Sequence, residues 1–397
     1  MRVFQIAGRR NVLLLATSQA LMLSAVVLSM TLAAILGGLL APDKGLATLP
    51  VAAMVIGTAL ASTPASLFMR RFGRRRGFLI GAGLGLASSL VSAWGLHSHA
   101  FGLFVFGHLL MGGYQGFANY YRFAAVEAAA ITQASRAIAW VVAAGVFAAF
   151  AGPQIALWGR DWMADDAFVG SYLAQTLLSL LALATIAQLR LPLVATGQTR
   201  DARPLHEIVA QAALRTSVFG AAVGYAVMIV AMTATPLAML GCGLSTTDVK
   251  PVIRWHVVGM FAPSFFTGAL ISRYGAPRIM QIGFVLLLGH VVVAISGLQF
   301  LHFVSALILL GVGWNFAFIG GTALLTQTYR ASEQTKVQAF NESVVFGLVA
   351  VASLGAGWLY DRFGWNALNL ATVPLLILAL IASIGMGRRL RAVVVST

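Results

Sequence analysis

The chain has 397 residues, 59% of them hydrophobic and only 9% charged, yet its net charge is +15. A soluble domain carries about 25% charged residues, so a chain this apolar cannot present a hydrated surface and belongs in a bilayer. One cysteine, Cys242, excludes an intrachain disulfide and any cysteine-rich metal cluster.

The first segment opens on Arg2, Arg9 and Arg10 and runs into a charge-free stretch over 11–42. That stretch is far longer than the apolar core of a signal peptide, so a retained transmembrane helix is expected. Further charge-free stretches follow at 45–69, 77–121, 137–159, 167–189, 216–247, 255–272, 279–329, 343–360 and 363–387. A helical crossing takes about 20 residues, so 77–121 and 279–329 are each two crossings. Breaks are expected near His97-Ser98-His99 and Ser296–His302. The sequence therefore predicts twelve helices, since lipid tolerates no unpaired backbone.

With both termini on one side, twenty Lys and Arg fall on that side and five on the other. This asymmetry places both termini in the cytoplasm. The positive charge is then a topology signal with some attraction to anionic lipid, and no nucleic-acid partner is expected. The polar stretch RLPLVATGQTRDARPLHEI (190–208) separates helices 6 and 7. It suggests an N-terminal bundle over 1–189, a linker over 190–212 and a C-terminal bundle over 213–397. The halves echo each other: RRFGRRR (70–76) matches SRYGAPR (272–278), and Tyr121-Arg122 matches Tyr329-Arg330. Repeated six-helix halves are the plan of alternating-access carriers.

The loop after helix 2 reads SLFMRRFGRRR (66–76). It resembles the major facilitator superfamily pattern G-x-x-x-D-R-x-G-R-R, with Arg71, Gly73, Arg74 and Arg75 matching, Ser66 in place of the glycine and Arg70 in place of the aspartate. A second copy is GWLYDRFG (357–364), and Gly152-Pro153 is similar to part of a drug-exporter motif. The resemblance implies an all-α fold of two six-helix bundles and assigns gating to Arg71, Gly73 and Arg74. The missing aspartate leaves open where a gating ion pair would come from.

Ionisable groups at membrane depth carry functional weight. Arg122 and Glu127 in YYRFAAVEAA are five apart, a poor spacing for pairing on one helix. Interfacial snorkelling with a gate contact, and proton or conformational coupling, both stand as readings. Glu342 in AFNESVVFG lies deeper, with Asn341 beside it, and its partner is not legible. His108 and Met111 in GHLLMGG read either as core packing or as an accessory soft-metal site.

Helix 7 carries Met228-x-x-x-Met232 and helix 8 carries His256-x-x-x-Met260. Methionine is a common core filler, so each motif alone is weak. Both pairs are centred on residue 244, so a hairpin would set Met232 opposite His256 and Met228 opposite Met260. Three thioethers and an imidazole suit copper, whereas magnesium, calcium or manganese would want carboxylates. Cys242 at the outer end of helix 7 reads either as a relay for a soft ion or as an inert small residue.

The two motifs resemble the signature of CcoA-type bacterial copper importers. That resemblance implies copper as transported substrate, import across the bacterial inner membrane by alternating access, and supply to cbb3-type cytochrome oxidase. ATLPVAAMVIGTAL (47–60) and YRFAAVEAA (121–129) are similar to the same group, some of whose relatives are linked to riboflavin uptake. The expectation is a monomeric secondary transporter in the lipid bilayer, with no permanent cofactor and no enzymatic activity. Two alternatives remain: a carrier of a small organic solute such as a flavin or drug, and a copper-binding sensor or assembly factor on a transporter scaffold.

Overall fold

A computed structural model describes residues 2–43, 46–163, 166–191 and 202–395. Most of the expected linker, 192–201, lies outside them. The described residues are helical throughout: α1 Arg2–Leu40, α2 Leu49–Phe72, α3 Arg74–His97, α4 Phe101–Ala118, α5 Tyr121–Ala128, α6 Ala134–Ala143, α7 Gly145–Trp158 and α8 Val169–Ala187. They continue with α9 Leu205–Ala210, α10 Ala212–Gly241, α11 Thr246–Phe261, α12 Ser264–Tyr274, α13 Ala276–Ser296, α14 Phe300–Leu325, α15 Gln334–Leu370 and α16 Val373–Val395.

Ten stretches among the described residues are long and apolar enough to cross a bilayer. Two of them join a pair of helices end to end, α6 with α7 and α11 with α12. The last, Gln334–Arg389, has 56 residues and is broken at Gly364, where φ is 75°, so it supplies two crossings. α4 is a further 18-residue helix, made more polar by His108, Tyr114 and Gln115. The described residues thus provide twelve membrane-length segments, and the breaks fall after His97 and at Gly297.

One tripeptide recurs at the tight turns: Arg71-Phe72-Gly73, Arg273-Tyr274-Gly275 and Arg362-Phe363-Gly364. Each glycine adopts a positive φ, at 87°, 84° and 75°. An L-side chain is strained there, so glycine lets one helix stop and the next begin within a residue. Helices pack closely where side chains vanish. A Cβ on Gly112 of α4 would collide with the Met54 carbonyl of α2, and one on Gly311 of α14 would lie 2.6 Å from the His256 carbonyl of α11. Small residues of this kind permit close helix packing in lipid.

Two compact units form, and neither is a simple half of the sequence. Unit 1 holds 1–131, 144–195 and 338–343; unit 2 holds 132–143, 196–337 and 344–397. Relative to the two halves of the sequence, 132–143 and 338–343 are exchanged between the units. α6 joins unit 2 because it packs on α12, with Trp140 edge-on to Phe265 at 5.7 Å. Residues 338–343 of α15 join unit 1 because Gln338 and Glu342 bond arginines there.

Candidate functional site

Unit 1 holds a buried charged cluster built from the inner ends of its helices. Arg74 opens α3 directly after the Gly73 turn and is 5% exposed. Its Nη2 donates to Glu127 Oε1 at 2.6 Å and to Gln338 Oε1 at 2.5 Å, and its Nε donates to Glu127 Oε2 at 3.3 Å. The guanidinium also lies over the Tyr120 ring. An acidic partner for this loop thus comes from Glu127 on α5.

Arg122, in the first turn of α5, donates from Nη2 to Glu342 Oε1 at 2.5 Å and from Nη1 to the Asn119 carbonyl at 2.9 Å. Asn341 Nδ2 donates to the same Glu342 oxygen at 2.8 Å. Glu342 is fully buried, and its Oε2 has no hydrogen-bond partner. Arg122 and Glu127, set apart by their five-residue spacing, each find a partner elsewhere. Next to Glu342 in sequence, Ser343 is exposed, and its hydroxyl oxygen lies 2.6 Å from that of Thr63. A buried ion pair costs desolvation on both sides and persists only with good geometry and extra hydrogen bonds. Here Gln338 adds a bond to Arg74, and the Asn119 carbonyl and Asn341 add bonds to Arg122 and Glu342. Arg71, by contrast, is exposed and lies over the Phe72 ring.

The residues singled out for soft-metal binding lie on α10 and α11. α10 and α11 each pack chiefly on α14 rather than on each other. Gly311 of α14 seats the α11 backbone, and Asn315 Nδ2 donates to the Met260 carbonyl at 2.6 Å. Met228 and Met260 are buried, and Met232 is half-buried. His256 is fully buried, with Nδ1 2.9 Å from the Leu307 carbonyl, and its Nε2 has no hydrogen-bond partner. The carbonyl can only accept, so Nδ1 carries the proton. His108 Nδ1 likewise donates to Phe104 O at 2.9 Å, while the Tyr172 hydroxyl lies 3.4 Å from Nε2. Met111 is buried in the same core, and Cys242 is exposed at the end of α10. Among the described residues no three His, Cys, Asp or Glu side chains gather as a metal-binding group.

Unit 2 holds an aromatic cluster that the sequence reading missed. Tyr225 of α10 meets the rings of Trp314, Phe318 and Phe346 at centroid distances of 5.3, 5.4 and 5.4 Å, each at a steep angle. Trp314 stacks on Phe318 at 5.0 Å, and Phe261 of α11 meets Trp314 edge-on at 5.8 Å. Trp314 and Phe318 share a face of α14 by their i, i+4 spacing, and Phe346 comes from α15. Tyr225 is half-buried and the other four are buried. Trp314 Nε1–H is a buried donor with no hydrogen-bond partner. Tyr225 and Trp314 sit near the middle of their helices, the depth at which carriers of this plan bind substrate. The signal was WNFAF (314–318), whose aromatic spacing reads equally as helix packing.

Outside the membrane segments, Glu333 caps α15. Its Oε1 accepts from Arg203 N at 3.0 Å and Nε at 2.8 Å, and its Oε2 accepts from Arg203 Nη2 at 2.7 Å. The Arg203 guanidinium holds the Glu333 carboxyl at about 2, well below the usual 4.5. Lys336 Nζ contacts the Arg203 carbonyl.

No family model matches the sequence. The chain is 41% identical to the riboflavin transporter RfnT of Brucella anthropi, over 94% of this chain and 95% of that protein. It is 28% identical to YddS of Bacillus subtilis, an uncharacterised transporter of the major facilitator type, over 89% of this chain and 86% of that one. Among solved structures, the human organic anion transporter TETRAN aligns with a TM-score of 0.78 at 14% identity, covering 95% of this chain and 99% of that one.

Proposed function

Because this chain belongs to the major facilitator superfamily, we propose that it is a secondary transporter of riboflavin or a flavin of the same ring class. The observation that carries this reading is the aromatic cluster around Trp314. A planar heteroaromatic ring gains dispersion and quadrupole contacts against such faces. The unpartnered Trp314 Nε1–H supplies a donor for a ring carbonyl, which turns a greasy slot into one that selects for an acceptor. The likeness to RfnT over nearly the whole chain supports the same solute class.

In this reading the two buried ion pairs of unit 1 form the lock. Arg122 with Glu342 and Arg74 with Gln338 hold the 338–343 segment of α15 to α5 and α3, while Arg74 with Glu127 ties α3 to α5, and release of these bonds frees that segment during the transport cycle. The setting is a bacterial cytoplasmic membrane, in keeping with the bacterial relatives. Copper import, implied by the Met and His motifs, is not supported by the relatives described above, whose named substrate is riboflavin where one is given.

The test is uptake of radiolabelled riboflavin by cells lacking their own flavin carriers. Cells expressing this chain should accumulate label saturably, and unlabelled flavin should compete while unrelated drugs do not. Uptake equal to the empty-vector control would refute the assignment.

A further inference from the structure

A hollow of about 380 Å3 lies on the surface of unit 2 between α10 and α16. It is independent of the aromatic cluster and of the ion pairs. Arg215 of α10 and Arg389 of α16 line it, and both are exposed. No Asp or Glu lines the hollow, and neither arginine has a carboxylate partner among the described residues. Ala212, the first residue of α10, adds a helix N-terminus whose backbone N–H groups favour an anion.

Apart from Thr216, the rest of the lining is apolar and graded with depth. Phe219 lies one turn further into α10 than Arg215, and Ala382, Gly385 and Met386 lie further into α16 than Arg389. The helices run in opposite senses by sequence order, so both arginines mark one end of the hollow and the apolar residues mark the other. At about 1.5 Å per helical residue, the apolar part extends some 6–10 Å beyond the arginines. A Cβ on Gly385 would meet nothing within 4 Å, so the apolar part is open rather than filled. The charge distribution of the sequence assigns this end of unit 2 to the cytoplasmic interface, where anionic headgroups concentrate. A free anion would use the arginines and leave the apolar floor unexplained. A zwitterionic lipid would use the floor and leave two unpaired cations.

We propose that this hollow is a binding site for one anionic phospholipid, its headgroup between Arg215 and Arg389 and its acyl chain along Phe219, Ala382 and Gly385. The test is thermal unfolding of the purified protein in detergent micelles, titrated with dioleoyl phosphatidylglycerol, with dioleoyl phosphatidylcholine, or with inorganic phosphate. The glycerol lipid should raise the midpoint saturably, and the other two should not. Arg215→Gln with Arg389→Gln should weaken that response about twenty-five-fold, at about fivefold per arginine, and leave the midpoint in phosphatidylcholine unchanged. Ala382→Trp, which fills the floor without altering charge, should also weaken it. Equal responses to the two lipids would overturn the site, as would full protection by phosphate alone. So would an undiminished response in Ala382→Trp, which also decides the matter should the double variant fail to fold.

Discussion

The charged cluster of unit 1 and the aromatic cluster of unit 2 are both buried, but they are built from opposite physics. Arg74 with Glu127 and Arg122 with Glu342 are held through short directional bonds. Tyr225, Phe261, Trp314, Phe318 and Phe346 hold one another through broad ring contacts that tolerate a guest ring in place of a neighbour. The first arrangement suits a lock with two states. The second suits a slot whose occupant can come and go.

The largest expected effect comes from breaking one side of the lock. Glu342→Ala leaves Arg122 buried with an uncompensated charge, which destabilises a protein by about 3–5 kcal/mol. Thermal unfolding of the purified variant should show that loss, and flavin uptake should disappear with it. Replacing both partners with leucine removes the buried charges together. The double variant should recover most of the unfolding midpoint while uptake stays lost, because packing is restored and the lock is not. Recovery of uptake in the double variant would reduce the ion pair to a structural role.

Next in size is the slot. Trp314→Phe keeps a stacking ring and deletes the buried donor, so uptake should weaken about fivefold to tenfold, the worth of about one hydrogen bond. The loss should fall on flavin and not on an analogue whose ring carbonyl is absent. Tyr225→Ala removes a face altogether and should cost more, up to about a hundredfold at about 1–3 kcal/mol per stacked ring. Equal losses on both analogues in Trp314→Phe would mean that the donor has no role in selection.

A smaller effect is expected at Glu333, outside both clusters. Its carboxyl is held at about 2 in the folded protein against a usual 4.5, so its contribution to stability is present above about 4.5 and is lost as pH falls toward 2. Unfolding midpoints of Glu333→Gln should fall below wild type at neutral pH, and the two proteins should converge as the solution is acidified. The smallest effect is on the methionines. Met232→Leu conserves volume on a half-buried position and should leave flavin uptake within about twofold of wild type.

The sequence revealed the membrane class, the twelve segments and the Arg-[Phe/Tyr]-Gly turns, because these depend on composition and local backbone chemistry. It also picked out Arg74 through the loop motif, and Arg122, Glu127 and Glu342 because a charge at membrane depth stands out in an apolar chain. It could not pair them, because Glu342 meets Arg122 across 220 positions and Glu127 meets Arg74 across 53. The same limit applies to the Met and His motifs. Equal sequence distance from residue 244 places two residues at one depth, but it does not say that α14 is the helix both of them pack on. The aromatic cluster was illegible because Tyr225, Phe261, Trp314 and Phe346 lie on four helices, and each alone looks like ordinary core.

The most direct test of the central claim is transport by the purified protein in proteoliposomes, with riboflavin and copper each supplied outside. Saturable riboflavin entry that weakens in Trp314→Phe and persists in His256→Ala, with no copper entry, is the predicted result. Copper entry abolished by His256→Ala, with riboflavin excluded, would contradict the account and return the Met228, Met232, His256 and Met260 set to the centre of the mechanism.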